Sequence, residues 1–227
     1  MSTLNGGPNT IRDSSLVLYL DAANLRSYVS GSTNWTDISK GANTVTLVNG
    51  PTFNTSKGGN IVFDGADDYC STTLVKTFTN MTIQVWFYKN GASPSVYSGL
   101  VANRSPSNTN VTGLLINGAG SECLGYNWND SPSTYGWNSG LVLNNNAWNF
   151  LSLSVSPTLA TGFLNGASAT NVLSHASTNI ADLAIGKDYI TERLVRGSIG
   201  LVFIYDKALS AAEVTQNYNA TRARFGI

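Results

Sequence analysis

The sequence contains little charge and very little glutamate. Charged residues make up 11% of its 227 residues, against about 25% in ordinary soluble proteins, so Ser, Thr and Asn must cover much of the surface. The three glutamates, Glu122, Glu192 and Glu213, are far apart in the chain. Glycosidases act with two carboxyl groups held close together, and no segment of this sequence supplies such a pair. We therefore predict no catalytic residues and a protein that is not an enzyme.

Histidine and cysteine are equally scarce. One His and two Cys cannot supply a four-ligand zinc site. The sequence around His175 contains no nucleophile elbow, so a structural or surface histidine is favoured over a member of a Ser-His-Asp triad. Cys70 and Cys123 could form a disulfide, but in a chain without a secretion signal two buried thiols are the favoured interpretation.

Charge is balanced, and the chain has no long apolar run. The formal net charge is zero and the pI is near 6.5, which leaves no basic footprint for nucleic acid. No run approaches the roughly 20 apolar residues that span a bilayer, so no membrane insertion is expected. The first residues lack the charged and apolar regions of a signal peptide. These features predict a protein made in the cytoplasm.

Short apolar runs separated by turn residues are what the sequence does contain. Residues 16–20 form a continuous apolar run, and residues 81–88 (MTIQVWFY) are rich in β-forming side chains with rough alternation. Further strand candidates are 60–65, 98–103, 112–117, 121–128, 148–155, 160–164, 182–186 and 197–205. Turn pairs such as Asn90-Gly91 and Asn165-Gly166 separate them. Many short strands at this spacing predict an all-β fold, a two-sheet antiparallel jelly-roll sandwich.

One helix is predicted, near the C-terminal end. Ser210 and Glu213 form a capping box in which Ser210 is the N-cap and Glu213 is the third helical residue. We expect a short helix that runs to about Arg222 and caps one end of the sandwich. Composition does not change abruptly after the polar lead-in, so we predict a flexible N-terminal arm over residues 1–13 and a single domain over 14–227.

With these elements placed, the chain resembles the laminin-G-like jelly-roll domains of the concanavalin A-like lectin/glucanase superfamily. The resemblance covers nearly everything from Leu16 to Ile227. Its pieces, in chain order, are LVLYLDA (16–22), NGPTF (49–53), IVFDGADDY (61–69), LGYNWN (124–129), TYGWN (134–138), WNF (148–150), IG (185–186) and RGSIGLVFIYDKALS (196–210). The resemblance implies two antiparallel sheets with the first and last strands paired. Glycosidases of that superfamily use a Glu-x-Asp-x-(x)-Glu strand, whereas Glu122 is followed here by Cys123 and Leu124.

A looser resemblance links the end of the chain to domains in tailed-phage virion proteins. It is carried by the sequences NYNA (217–220) and RFG (224–226). It implies a virion structural protein, either a capsid decoration or a tail-associated adhesin, located on the virion surface.

Three aspartates, Asp64, Asp67 and Asp68, fall within one predicted turn. Calcium prefers carboxylate and carbonyl oxygens, and the resemblance implies a metal because members of the superfamily often bind calcium. The alternative is turn chemistry alone, because Asp-Gly initiates turns through local backbone hydrogen bonds. Calcium is therefore the candidate cofactor, with these three aspartates as its ligands.

Aromatic and amide side chains are concentrated between residues 126 and 138. Aromatic rings can stack on the apolar faces of sugars, and amides bind hydroxyl groups, so this composition is typical of a glycan site. The candidate ligand-binding residues are Tyr126, Asn127, Trp128, Asn129, Tyr135 and Trp137. The alternative is that some of these rings belong to the core, since the resemblance runs through the same residues.

These observations together predict a non-enzymatic, lectin-like recognition module that binds carbohydrate or a protein surface. The alternative is the virion structural protein, and a glycoside hydrolase ranks third. The expected partners are a glycan or virion and capsid proteins, with a homo-oligomer as a further expectation. Nucleic acid is not an expected partner.

Overall fold

The computed structural model describes residues 8–103, 111–117, 122–188 and 193–227. Within these ranges the α-helices are α1 (Pro132–Tyr135) and α2 (Ala211–Phe225), and a 3-10 helix spans Ser56–Gly58. None of these helices is long and apolar enough to cross a membrane. The strands, in chain order, are β1 (Leu16–Asp21), β2 (Val45–Val48), β3 (Thr52–Asn54), β4 (Asn60–Asp64), β5 (Tyr69–Thr72), β6 (Lys76–Phe78), β7 (Met81–Lys89), β8 (Tyr97–Asn103), β9 (Thr112–Asn117), β10 (Cys123–Asn127), β11 (Ala147–Ser156), β12 (Leu159–Leu164), β13 (Ala167–Asn171), β14 (Thr178–Ile180), β15 (Leu183–Ile185) and β16 (Arg196–Tyr205).

The strands form two large antiparallel sheets that pack face to face. The larger sheet has the order β13-β12-β11-β7-β16-β4-β3, and β1 joins it by pairing with β16. The smaller sheet has the order β10-β9-β8-β15-β5-β2, while β14 and β6 form a separate pair. The predicted all-β jelly-roll sandwich is thereby confirmed.

The two ends of the chain meet in the larger sheet. β1 runs antiparallel to the second half of β16, with Leu16 opposite Tyr205 and Asp21 opposite Leu201. The first half of β16 pairs with β4 on the same edge, and β7 lies along the other edge. The predicted pairing of the first and last strands is confirmed.

The space between the sheets is filled by inward side chains from both. Ile83, Val85 and Phe87 of β7 belong to this buried cluster, and Leu114 and Ile116 of β9 meet them from the smaller sheet. Because successive side chains along a strand point to opposite faces, the residues between them point away from this core. The sequence alternation in residues 81–88 therefore produces two differently occupied faces.

A second apolar layer lies on the outer face of the larger sheet, beneath α2. Trp86, Phe150 and Phe203 project from the sheet, and Val214 and Phe225 project from the helix. The rings of Trp86 and Phe225 stack with centroids 4.3 Å apart. α2 therefore covers the sheet face and does not cap one end of the sandwich, which corrects the prediction. The physical reason is that the outward aromatic side chains of the sheet are removed from water only by such a cover.

The ends of α2 follow from the sequence. The Ser210 hydroxyl oxygen accepts a hydrogen bond from the Glu213 N–H (3.3 Å), and Glu213 Oε2 accepts one from the Ser210 N–H (2.9 Å), so the predicted capping box is confirmed. The helix continues past Arg222 to Phe225 and ends at Gly226, whose left-handed conformation (φ 81°) suits glycine.

A row of buried polar groups lies between α2 and the sheet. The Asn217 amide donates to Gln84 Oε1 (2.7 Å) and to the Tyr205 hydroxyl (2.9 Å). Its oxygen accepts a hydrogen bond from the backbone N–H of Ile11 (2.7 Å). Since Asn217 is fully buried, these bonds fix the helix, the sheet and the N-terminal segment relative to one another.

The N-terminal segment is held against the domain from residue 9 onward. The Asn9 carbonyl accepts a hydrogen bond from the Gln216 amide (2.7 Å). The Arg12 guanidinium lies 4.8 Å from the centre of the Tyr19 ring and donates to its hydroxyl (3.0 Å). The prediction of a flexible arm over 1–13 is corrected for residues 9–12, because these contacts dock them; residues 1–7 lie outside the described residues.

Cys70 and Cys123 are free thiols, and both are buried. Cys70 belongs to the core between the sheets, whereas the Cys123 thiol donates to Asn138 Oδ1 (3.3 Å). Burial raises the pKa of the Cys70 thiol far above its usual value, so this thiol is unreactive. The interpretation of the two cysteines as buried thiols is confirmed.

Candidate functional site

The glutamates make structural contacts. Glu213 belongs to the capping box and pairs with Lys207 (2.5 Å). Glu122 pairs with Lys89 (2.6 Å), and Glu192 lies outside the described residues. Among the glutamates that the structure describes, each therefore has a role in stability, which is compatible with a non-catalytic domain.

The Lys89–Glu122 pair joins the end of β7 to the segment that precedes β10. Lys89 is 1% exposed, and its ammonium group also donates to the Gly91 carbonyl (2.7 Å) and to Asn145 Oδ1. Burial raises the pKa of Glu122, but hydrogen bonds from Lys89 and Ser93 outweigh burial and hold this pKa below its usual value. Glu122 therefore stays ionised at neutral pH, unlike the general acid of a glycosidase.

The three aspartates predicted as calcium ligands are brought together at one turn. Asp64, Asp67 and Asp68 each offer a carboxylate oxygen, and these oxygens lie within 4.8 Å of one another. Asp64 Oδ1 accepts a hydrogen bond from the Ala66 N–H (2.7 Å), and Asp68 Oδ2 accepts one from the Asp64 N–H (3.1 Å). The Ala66 N–H lowers the pKa of Asp64, whereas burial raises the pKa of Asp68. Turn chemistry thus accounts for Asp64 and Asp68, and the calcium site stays a prediction.

Calcium held by these carboxylates would bind only the native state. We therefore predict a melting temperature that rises with added CaCl2 and falls with EDTA. Asp67→Asn is the diagnostic variant, because the exposed Asp67 carboxylate accepts no hydrogen bond from the described residues and is dispensable for the turn. The calcium-dependent rise should disappear in this variant, while an unchanged melting temperature in EDTA would leave only the turn role.

Two of the predicted glycan-binding rings lie in the core. Tyr126 is 0% exposed and Trp128 is 2% exposed. The Trp128 indole N–H donates to the Ala176 carbonyl (2.7 Å), and the Tyr126 hydroxyl is bonded to His175 Nε2 (3.0 Å). Neither ring has a face open to a sugar, so the assignment of Tyr126 and Trp128 to ligand binding is corrected, and the alternative of core packing applies to both.

His175 belongs to the same internal cluster. Its ring centroid lies 5.9 Å from that of Tyr126 and 5.8 Å from that of Trp128. Burial lowers the pKa of His175, which keeps the imidazole neutral at neutral pH. These contacts support the interpretation of His175 as a structural residue.

Trp137 and Asn129 fasten loops at the edge of the sandwich. The half-buried Trp137 ring meets Tyr126 edge-on at 5.5 Å. The Asn129 amide donates to the carbonyls of Ala176 and Ser177, both at 3.3 Å. Neither residue lines the cavity that contains the remaining two predicted residues.

Asn127 and Tyr135 line a cavity on the outer side of the smaller sheet. We call it the tyrosine pocket; it is also lined by Tyr97, Leu115, Asp130 and Arg193, and its volume is about 260 Å³. Ligand pockets start at about 300 Å³, so the tyrosine pocket suits a small ligand or one unit of a longer one.

The alternation of side chains along β9 puts Leu115 at the base of the tyrosine pocket. Leu114 and Ile116 point into the core between the sheets, so Leu115 between them points outward. Gly99 lies opposite Leu115 in the neighbouring strand. A Cβ at Gly99 would lie 2.3 Å from the backbone nitrogen of Asp188, so this glycine allows the chain after β15 to cross close above the sheet.

Two tyrosines and an arginine form one side of the pocket. Tyr97 and Tyr135 meet edge-to-face with ring centroids 6.4 Å apart. Arg193 lies 5.3 Å from the centre of the Tyr97 ring and donates to Asp188 (3.1 Å), whose side chain is fully buried. The guanidinium is therefore held in place. Among the residues that the structure describes, none forms a hydrogen bond with either tyrosine hydroxyl, so both hydroxyls can serve a ligand.

The opposite rim is a tight turn after β10. The Asn127 amide donates to Asp130 Oδ1 (3.3 Å), and the Thr134 hydroxyl donates to Asn127 Oδ1 (3.4 Å). Asn129 and Asp130 adopt consecutive left-handed conformations, with φ of 52° and 56°. Asn and Asp tolerate this conformation, which is common for them in tight turns. The turn thereby brings Asp130 to the rim of the pocket.

Sequence reasoning missed Tyr97 and Arg193. Tyr97 opens β8, and Arg193 lies between β15 and β16, far from the 126–138 segment in the chain. They meet because β8 lies between β9 and β15 in the smaller sheet. Only knowledge of that strand order could have found them, since neither stands in a local motif.

Comparison with known proteins gives a family and a set of similar folds. The profile of the concanavalin A-like lectin/glucanases superfamily matches residues 64–215. No curated protein sequence matches the chain. The fold is similar to domain 4 of AbnA, an extracellular arabinanase of glycoside hydrolase family 43 from Geobacillus stearothermophilus, solved with arabinotriose. The TM-score is 0.68 at 18% identity, over 89% of this chain and 98% of that one.

Two larger proteins contain a similar fold. Trypanosoma rangeli sialidase, solved with sialic acid, matches with a TM-score of 0.65 at 13% identity, over 93% of this chain and 34% of the sialidase. The binding domain of Paraclostridial Mosquitocidal Protein 1 matches with a TM-score of 0.65 at 14% identity, over 91% of this chain and 52% of that domain. At these identities the likeness is one of fold.

Proposed function

The chain belongs to the concanavalin A-like lectin/glucanases superfamily, and from this premise we propose that it is a non-catalytic carbohydrate-binding module. The proposed site is the tyrosine pocket. Its ligand is a sugar unit whose apolar face packs on Tyr97 or Tyr135 and whose hydroxyl groups bond to Asp130, Arg193 and the tyrosine hydroxyls.

The observation that carries this proposal is the composition of the pocket. It combines two half-buried aromatic rings with an amide, a carboxylate and a guanidinium around one cavity of about 260 Å³. Sugars present apolar ring faces and rigid patterns of hydroxyl groups, so they need both kinds of contact at once. A few fixed polar groups beside apolar surface are how binding sites orient such a ligand.

The AbnA domain supports the choice of ligand class. That domain is solved with arabinotriose, and the present chain covers 98% of it, so the two are comparable as whole modules. The sialidase is solved with sialic acid, but this chain spans about a third of it. We therefore rank uncharged oligosaccharides such as arabinotriose above acidic sugars as the first ligands to test.

A non-catalytic role is supported by the state of the carboxylates. Glu122 is ionised and paired with Lys89, and Glu213 serves the helix cap. The pocket itself contributes one carboxylate, that of Asp130, whereas glycoside hydrolysis ordinarily uses two. The virion role and the homo-oligomer both stay predictions, since no contact within the domain bears on them.

We expect Tyr97→Ala to weaken binding of an oligosaccharide by about tenfold or more. The reason is that removing a ring from a sugar-binding surface costs about 1–3 kcal/mol of apolar contact, and 1.4 kcal/mol corresponds to a factor of ten in Kd. The measurement is isothermal titration of a panel that includes arabinotriose, xylotriose, cellotriose and maltotriose.

Tyr97→Phe and Val172→Ala serve as controls. The first keeps the ring and removes only the hydroxyl, so its loss should be smaller; the second changes an exposed residue (79% exposed) that does not line the pocket. Unchanged binding by a folded Tyr97→Ala protein would exclude the tyrosine pocket as the site. Failure of every sugar in the panel to bind the wild type would contradict the proposed function.

A further inference from the structure

A second cavity lies on the opposite side of the molecule. We call it the asparagine groove; its volume is about 470 Å³, and its lining includes Tyr88, Asn144, Asn146, Trp148, Asn165 and Tyr218. It runs between the outer face of the larger sheet and the last turns of α2. The tyrosine pocket, by contrast, lies outside the smaller sheet, so the thickness of the sandwich separates the two.

A buried asparagine builds one wall of the groove. Asn149 is 0% exposed; its amide donates to the carbonyls of Asn144 (2.9 Å) and Ala147 (3.0 Å), and its oxygen accepts from the Asn144 N–H (3.0 Å). Asn165 donates to the same oxygen (3.3 Å) and accepts from the Phe150 N–H (2.8 Å). The wall is thus fixed in shape before any ligand arrives.

Aromatic rings form the base of the groove. Tyr88 is half-buried and meets Trp148 edge-to-face at 5.7 Å. Trp148 packs on Phe225 at 4.6 Å, and Tyr218 packs on Phe150 at 5.4 Å. This packing holds Trp148 and Tyr218 in place. Tyr88 and Tyr218 are both half-buried, whereas Trp148 is buried, so the two tyrosine rings are the more accessible ones for stacking.

Several polar side-chain atoms of this groove form no hydrogen bond with the described residues, whereas the Asn165 amide is bonded at both its oxygen and its nitrogen. Across the described ranges, no protein group bonds to the hydroxyls of Tyr88 and Tyr218, to the Trp148 indole N–H, or to the side-chain amides of Asn144 and Asn146. The indole N–H groups of Trp86 and Trp128 are bonded, to Thr221 (2.8 Å) and to the Ala176 carbonyl, whereas that of Trp35 is buried without a partner among the described residues. The groove therefore concentrates hydrogen-bonding capacity beside aromatic surface.

The charge of the groove narrows the ligand class. Lys57 is the one charged side chain among its lining residues, so neither a strongly acidic nor a strongly basic ligand is favoured. Aromatic rings with unpaired amides, hydroxyls and an indole N–H match a neutral, hydroxyl-rich ligand.

We infer that the asparagine groove is a second saccharide-binding site. The inference rests on the proposed function for its ligand class, but it uses different residues on the opposite sheet. Because the two sites face away from each other, one sugar chain bound in the pocket does not continue into the groove. A single domain then joins two separate saccharide chains.

The test follows the Trp148 indole N–H signal by ¹H–¹⁵N NMR while arabinotriose, xylotriose, cellotriose and maltotriose are added one at a time. Trp148→Phe assigns the signal. We expect it to shift with at least one of these sugars and to shift equally in Tyr97→Ala. The shift should be lost in Tyr88→Ala combined with Asn146→Ala. The Trp128 signal is the internal control, because its N–H is already bonded within the core.

The outcomes separate this inference from the proposed function. Sugar binding that responds to Tyr97→Ala while the Trp148 signal never moves would overturn the groove and leave the pocket. If the Trp148 signal still shifts in Tyr97→Ala and the affinity for sugar is the same in this variant as in the wild type, the groove is retained as a site and the pocket is overturned. No binding by any of the four sugars would overturn both.

Cross-linking of polysaccharide chains by the protein provides a second measurement. Adding the wild type to a soluble arabinan should increase the turbidity of the solution. The pocket variant (Tyr97→Ala) and the groove variant (Tyr88→Ala with Asn146→Ala) should each still bind but should not increase the turbidity. In titrations with a trisaccharide that binds both sites, the stoichiometry should fall from two to one in each variant. A stoichiometry of one in the wild type, unchanged by Tyr88→Ala with Asn146→Ala, would contradict the second site.

Discussion

Replacing Glu122 with alanine is expected to destabilise the domain by about 3 kcal/mol. The substitution leaves the Lys89 ammonium group, which is 1% exposed, without its counter-charge, and breaking a buried ion pair costs about 3–5 kcal/mol. We expect the lower end of this range because the Glu122 side chain is 27% exposed, so water can partly replace the carboxylate. The measurement is urea-induced unfolding followed by tryptophan fluorescence.

A variant without either charge separates the effect of the unpaired charge from that of packing. Lys89→Met combined with Glu122→Leu removes both charges, and apolar replacement of a buried pair is often neutral. The double variant should therefore recover part of the lost free energy of unfolding; the remainder reflects the Gly91 carbonyl and Asn145 Oδ1, which lose their donor. A loss below about 1 kcal/mol for Glu122→Ala alone, which is typical of exposed pairs, would show that Lys89 does not depend on Glu122.

Asn217→Leu is expected to cost about 3 kcal/mol or more and to loosen the N-terminal segment. Leucine is of similar size and fills the space under α2, but it cannot form the hydrogen bonds to Gln84, Tyr205 and the Ile11 N–H. Each buried group left without a partner costs about 1–3 kcal/mol. The measurements are urea unfolding and trypsin cleavage after Arg12. Cleavage should become faster because the Ile11 N–H loses its partner, although the Tyr205 hydroxyl still donates to the Ile11 carbonyl (3.0 Å).

Asn219→Ala is the matched control for this variant. Asn219 is exposed on the same helix, and alanine has the higher helix propensity, so the free energy of unfolding should stay the same or rise slightly. If Asn217→Leu unfolds at the same urea concentration as the wild type, the buried polar row does not hold the helix on the sheet.

The sequence predicts the long strands well because their two faces bury different groups. In β7, Ile83 and Val85 face the core between the sheets, while Gln84 and Trp86 face α2. Both faces of β7 are buried, so residues 81–88 are a continuous stretch of β-forming side chains and are easily predicted as a strand. Strands β2, β3, β5, β6, β13 and β14, of three to five residues each, were missed. Such short strands carry few alternating positions by which they can be recognised locally, although β15, also of three residues, was predicted within 182–186.

The candidate site was less predictable than the fold. Composition identified the segment that contains Asn127 and Tyr135, which line the pocket. It could not distinguish an exposed aromatic ring that stacks on a sugar from a ring buried in the core. Tyr126 and Trp128 are buried because the loop that carries His175 closes over them. The direction in which an aromatic side chain points depends on strand register and loop cover, which a single sequence does not encode locally.

The position of β16 delays folding of the larger sheet until most of the chain has been synthesised. This strand pairs with β7, β4 and β1, so the larger sheet lacks a central member until Tyr205 has left the ribosome. Until then the nascent β1 and β7 expose apolar side chains and unpaired edges, which are prone to aggregate. Contacts between chain ends also slow folding, to milliseconds or seconds in sandwiches of this kind. Fusions or truncations near the last strand should therefore reduce the yield of folded protein far more than changes in the loops.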